Sequence, residues 1–218
     1  MPRCDMSRRL PGHFTFADPM NYLAHLWLTE QAGLPLPGAI LGDLVHGRLD
    51  GRFAPALERS IRLHRRVDAV TDGHPLVAAQ RAGFGPGARR YAGIVLDLLH
   101  DHALVLDWAR YSGEPLNLFA RRAAQAVAAE QEGFRLAGIS PPPAWRFRRL
   151  LLSYGEAGGI DRALRRVASR LQRPEALLEA GQNWRARLPL VRGNLPQLLV
   201  DLRTAAVSFA GPPERQPE

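Results

Sequence analysis

Not one lysine occurs in the 218 residues, so all 29 basic side chains are arginine. That excludes a Schiff-base lysine and the lysine of a phosphate-binding P-loop. The single cysteine, Cys4, excludes an intrachain disulfide framework and a cysteine-rich zinc site. Long apolar runs are missing too. The best stretches, 94–106 and 195–202, are short and interrupted by Asp or Gln, so no transmembrane helix is expected. Residues 1–19 hold arginines but no apolar segment of the kind a secretory signal needs, and a cytoplasmic protein is expected. Period-two strand patterns and repeats of 20–50 residues are absent as well.

What is present is enough for a packed core. Hydrophobic residues make up 46% and charged residues 23%, which argues against wholesale disorder. The length suits one domain, expected over 20–208 between a loosely packed arm at 1–19 and a fraying tail at 209–218. The net charge of +8 points to an acidic partner: nucleic acid, anionic lipid or an acidic protein.

Apolar spacing predicts an all-α fold. A helix capped by Asn21 carries Tyr22, Leu23, Leu26 and Trp27. Others are expected at about 38–45, 55–70 (core Leu57, Ile61, Val67), after Pro75, and at 88–110 with Ile94, Leu98, Val105 and Trp108 inward. Further helices are expected at about 116–134, 143–154, 159–172, 174–188 and 195–208.

Metal-binding side chains are unevenly distributed. Residues 25–102 hold six of the seven His and six of the eleven Asp. His with Asp but without Cys favours Mn, Fe, Mg or Zn. His64 and Asp68 lie four apart on one helix and point the same way, with Asp72 just beyond. Asp97 and Asp101 repeat that spacing, followed by His102. His25 sits between Ala24 and Leu26, and Asp43 lies in Leu-Gly-Asp-Leu-Val, where an unpaired carboxylate would be costly to bury. Each has a plainer reading: a surface ion pair, a solvated helix face, a cap, or a hydrogen-bonded core histidine. Taken together they need mutual compensation, which a metal supplies, though the reaction stays open.

Four blocks resemble the acyl carrier protein phosphodiesterase family in order and spacing: Asn21-Tyr-Leu-Ala-His-Leu26, Leu41-Gly-Asp-Leu-Val45, Leu63-His-Arg-Arg-Val-Asp68 with Thr71-Asp72, and Leu96-Asp-Leu-Leu-His-Asp-His102. The resemblance covers about residues 20–205 and implies an HD-domain-like helical bundle. It also implies Mn²⁺ (or Mg²⁺, Fe²⁺ or another divalent ion) and hydrolysis of the phosphodiester joining 4′-phosphopantetheine to a serine of acyl carrier protein. In the last block Asp101 is flanked on both sides by histidine, His100 before it and His102 after it. The resemblance implies a typical family start at Met20, so residues 1–19 are expected to be an extension.

On this resemblance His25, Asp43, His64, Asp68, Asp101 and His102 are expected around the metal, directly or one shell out. Asp97 and Asp72 are expected to orient a ligand or handle a proton. Arg65 and Arg66 are expected to hold phosphate, with a solvated basic face as the alternative. The resemblance further implies a small acidic protein partner. Arg146, Arg148, Arg149, Arg162, Arg165, Arg166, Arg170 and Arg173 fall within 28 residues whose only acids are Glu156 and Asp161. Such a patch would speed encounter with that partner. Two other functions share these residues: an HD-like phosphohydrolase acting on nucleotides or nucleic acid, and a non-enzymatic Arg-rich binding module. No RNP, zinc-finger or aromatic stacking motif favours nucleic acid.

Overall fold

In the computed structural model, residues 22–156 and 158–211 are described. The expected cap Asn21, the arm at 1–19 and most of the tail lie outside them. The described residues form twelve α-helices and one 3₁₀ turn, and no strand occurs among them. The all-α expectation holds. Among the described residues no helix is long and apolar enough to cross a membrane.

The helices are α1 (Tyr22–Gln31), α2 (Pro37–Leu44), α3 (Pro55–Gly73), α4 (Pro75–Ala82), α5 (Ala92–Leu106), α6 (Trp108–Tyr111), α7 (Leu116–Ala129), α8 (Gln131–Leu136), α9 (Ala144–Ser153), α10 (Gly159–Ala168), α11 (Pro174–Gly181) and α12 (Trp184–Ala210). Proline opens α2, α3, α4 and α11, where its missing N–H is no loss and its φ is already helical. The side chain of Glu130 caps α8 by accepting the Gly133 N–H at 2.9 Å.

α1 is the hub. Every residue from Tyr22 to Thr29 is buried, and the helix touches α2, α3, α5 and α12. α2 packs tightly against α3, and two glycines permit it. A Cβ on Gly38 would fall 2.2 Å from Ser60 Oγ, and one on Gly42 would fall 2.2 Å from His64 Cγ. Gly38 and Gly42 are one turn apart on α2, as Ser60 and His64 are on α3, so a smooth strip of one helix receives a ridge of the other.

Three expected boundaries are corrected. The helix expected at 88–110 is a 3₁₀ turn at Arg89–Tyr91, then α5, then the short α6. The stretch 116–134 is divided at Glu130, whose side chain starts α8. The helices expected at 174–188 and 195–208 are instead α11 and one 27-residue α12 that contains Pro189 and Pro196. A helix-interior proline costs about 3 kcal/mol. Here a buried stripe from Trp184 through Val191, Leu195, Leu198, Leu199 and Leu202 to Ala206 outweighs it. Arg59 of α3 donates to the Ala210 carbonyl, and Gly211, at φ 71°, ends the helix.

Most tryptophans serve the core. Trp27, Trp108 and Trp184 are buried, whereas Trp145 at the start of α9 is 69% exposed.

Candidate metal centre

α1 brings His25, and α3 brings His64 and Asp68, to one place. Ligand atoms of these three side chains lie within 4.8 Å of one another. The two imidazoles stack, with centroids 4.1 Å apart and planes inclined by 25°. Asp68 straddles them, with Oδ1 3.1 Å from His25 Nε2 and Oδ2 3.2 Å from His64 Nε2. Asp43 of α2 reaches the same His64 Nε2 at 2.9 Å. Gly42 makes this possible, because only a bare α-carbon lets α2 approach the His64 ring. Both histidines are buried, while the Asp68 side chain is 46% exposed, so the group opens to solvent at Asp68.

The charges are tightly opposed. Burial pushes His25 down, and the neighbouring His64 adds to that. Burial also works against a charged His64, but the Asp43 and Asp68 carboxylates outweigh it and push its pKa up to about 10. Burial would raise Asp68, yet its contacts with the two imidazoles hold it well below the usual carboxylate range.

The donor set fits a divalent cation. His25 Nε2 and Asp43 Oδ2 are buried with no hydrogen-bond partner, although His25 Nε2 is close enough to Asp68 to feel its charge. Buried polar atoms are rarely left so, and a cation held by His25, His64 and Asp68 would give His25 Nε2 a partner. Nitrogen and carboxylate donors without sulfur suit Mn²⁺, Fe²⁺, Mg²⁺ or Zn²⁺.

The other expected residues occupy different positions. Asp101 is fully buried, and its two oxygens accept the backbone N–H groups of Leu23 and Ala24, each at 2.9 Å. It thereby supplies acceptors for the otherwise unpaired start of α1 and lies outside the three-residue group. Burial pushes its pKa up to about 8 against those two donors. His102 turns away, with Nδ1–H donating to the Tyr154 carbonyl and its ring edge-on to Trp184. Asp97 of α5 is partly buried. Burial raises its pKa well above the ordinary value, and the charge of Asp68 adds to the effect. Asp72, exposed on the last turn of α3, pairs with Arg81.

Arg65 donates to the carbonyls of Val45 and Gly47, at 2.7 and 2.8 Å, and so closes the end of α2. Arg66 is exposed, about 160° round α3 from Asp68. His74 caps α4 and pairs with Asp201, while His100 Nε2–H donates to Gln80 Oε1. Arg81, which no sequence pattern marks, reaches the end of α3 through its pair with Asp72. A cleft of about 460 Å³ between α10 and α11, lined by Asp161, Leu164, Arg165 and Leu178 among others, shares no residue with the metal-binding group.

A helical protein with a buried His/Asp centre is thus defined by its own geometry. The family model for acyl carrier protein phosphodiesterase matches residues 20–197, and this chain belongs to that family. It is similar to acyl carrier protein phosphodiesterase of Klebsiella pneumoniae strain 342, with 36% identity over 171 residues, covering 75% of this chain and 86% of the relative. The protein of the same name from Escherichia coli O139:H28 is 34% identical over 171 residues, covering 74% and 84%. One from Serratia proteamaculans strain 568 is 47% identical over a shorter stretch of 89 residues. No solved structure matches the chain.

Proposed function

We propose that the protein is a divalent-metal phosphodiesterase that hydrolyses holo acyl carrier protein to the apo protein and free 4′-phosphopantetheine. The observation that carries this reading is the His25–His64–Asp68 group, with Asp43 and its orphaned buried Oδ2 beside it, in a chain of this family. His25, His64 and Asp68 would hold the metal, with Asp43 beside them. A bound Mn²⁺ or similar ion lowers the pKa of its water and neutralises phosphoryl charge. Helices that carry His and Asp donors to one centre also support the HD-like character of the bundle.

The chain's own residues do the rest. Asp68 forms the open side of the group, where an anionic phosphodiester can approach. Breaking the bond between phosphorus and the serine oxygen leaves an alkoxide that needs a proton. Asp97, whose burial favours the protonated form, is suited to give it. Asp101 positions His25 by holding the first turn of α1. The carrier protein would dock on the arginine surface of α9 and α10. There Arg146, Arg149, Arg165 and Arg166 are exposed without ion pairs among the described residues, whereas Arg162 is paired with Glu156.

The deciding experiment incubates the purified protein with holo acyl carrier protein, with and without Mn²⁺, and weighs the carrier protein by mass spectrometry. Metal-dependent loss of the 4′-phosphopantetheine mass is expected. A carrier protein of unchanged mass, with metal bound to the enzyme, would move the substrate to another phosphodiester. Absence of bound metal would favour the binding-module reading.

A further inference from the structure

Arg81 lies in the last turn of α4, in the unremarkable run Ala-Gln-Arg-Ala. Its Nη2 donates to Asp72 Oδ1 at 2.5 Å. Asp72 follows Asp68 by four residues, about 6 Å along α3. The guanidinium is therefore tethered about one helical turn from the solvent-facing carboxylate of the His25–His64–Asp68 group. From the other side it acts on α5: its charge opposes the raised pKa of Asp97 and helps to lower that of His100. Asp97 in turn feels the charges of both Asp68 and Asp72. Gly93 of α5 also faces Arg81. A Cβ there would sit 3.5 Å from Nη2, and no side chain occupies that position.

The guanidinium is only partly engaged. Nε is buried without a partner, Nη1 makes no hydrogen bond among the described residues, and the side chain is 32% exposed. Its one ion pair among the described residues, to Asp72, uses Nη2 and leaves Nη1 for a ligand. An arginine offers a planar fork of donors that matches two oxygens of a phosphate. The rival arginines are less suited: Arg65 is bound to two backbone carbonyls, and Arg66 faces away on α3.

We propose that Arg81 binds the phosphate group of the substrate, its guanidinium gripping non-bridging oxygens beside the His25–His64–Asp68 centre while Asp72 holds it in place. The inference rests on the reading of that centre as a phosphodiesterase site, but it can be tested apart from turnover. Inorganic phosphate is the probe, titrated calorimetrically into the full chain with and without Mn²⁺ and then used as an inhibitor of holo carrier protein hydrolysis.

Arg81→Gln should weaken phosphate binding about tenfold or more, with bound Mn²⁺ and thermal melting unchanged. Arg81→Lys keeps the charge but loses the fork, and should fall between the two; it also serves if the Gln variant does not fold. A folded Arg81→Gln protein that binds metal and phosphate like the wild type overturns the assignment. So does a metal-loaded wild type that binds no phosphate. If the wild type leaves holo carrier protein intact while Arg81→Gln still loses phosphate, the substrate assignment fails and the role of Arg81 stands.

Discussion

Asp101 and Leu23 are 78 positions apart in sequence, yet the Asp101 carboxylate accepts the Leu23 backbone N–H at 2.9 Å and so fixes the start of α1. His25 follows two residues later on the same buried helix. A contact between α5 and a helix terminus thus sets the position of a candidate ligand that Asp101 need not touch.

Asp101→Asn is expected to reduce both stability and metal binding. Its amide can accept one of the two N–H groups, but its NH₂ opposes the other and leaves a buried donor unpaired. The loss should be about 1–3 kcal/mol by chemical denaturation. Metal affinity should fall about 10–100-fold, as for partners that orient a ligand. Undiminished stability and metal content would show that the contact positions nothing.

Gly42→Ala tests the close approach of α2 to α3. The new methyl would lie 2.2 Å from His64 Cγ and 2.4 Å from Cδ2, on a ring that is fully buried and stacked on His25. Overpacking of this kind costs about 1–3 kcal/mol. The helices must part or His64 must turn, so the melting temperature and bound Mn²⁺ should fall together. Gly73→Ala, where a Cβ would meet nothing within 4 Å, should spare metal binding.

His100 should make the fold sensitive to acid. Burial, helped by the charge of Arg81, lowers its pKa from 6.5 to about 4. Between those values the unfolded chain binds a proton that the folded one does not, so stability falls as pH drops from 6.5 towards 4. The limit is on the order of 3 kcal/mol, from about 1.4 kcal/mol per unit. In His100→Gln that slope should shrink, as measured by urea midpoints at pH 7, 6, 5 and 4.5. Parallel wild-type and variant curves would remove His100 as the cause.

Charge reversal at Arg165 and Arg166 should impair encounter more than chemistry. Both are exposed on α10, have no ion pair among the described residues and are not members of the metal-binding group. The double Glu variant should raise KM for holo carrier protein more than it lowers kcat, and the difference should shrink at high salt. Arg162 is left unaltered because reversing it would break its pair with Glu156. Unchanged kinetics at low ionic strength would move the docking surface elsewhere.

Local pattern made much of this molecule legible. The apolar positions Tyr22, Leu23, Leu26 and Trp27, and likewise Leu57, Ile61 and Val67, are buried as their spacing requires. The i,i+4 spacing of His64 and Asp68 puts them on one face, and they meet at 3.2 Å. Tertiary effects were not legible. The expected gap between the helices at 174–188 and 195–208 does not occur, because the packing of α12 runs through Pro189 and Pro196. Arg65 and Arg66 stand beside His64 in sequence, whereas Arg81 comes close only because α4 folds back beside the end of α3. The link from Asp101 to α1 is a backbone contact, and no side-chain spacing can announce it.

The lone exposed tryptophan gives α9 an optical consequence. With Trp27, Trp108 and Trp184 shielded, Trp145 should account for most of the long-wavelength, acrylamide-quenchable fluorescence of the native chain. It stands next to Arg146 and one helical turn before Arg149. A protein that settles on those arginines should shift its emission to the blue and protect it from quenching, without any label being attached. Catalytically idle mixtures would then still give a binding curve, and Trp145→Phe would leave the remaining emission largely deaf to the partner.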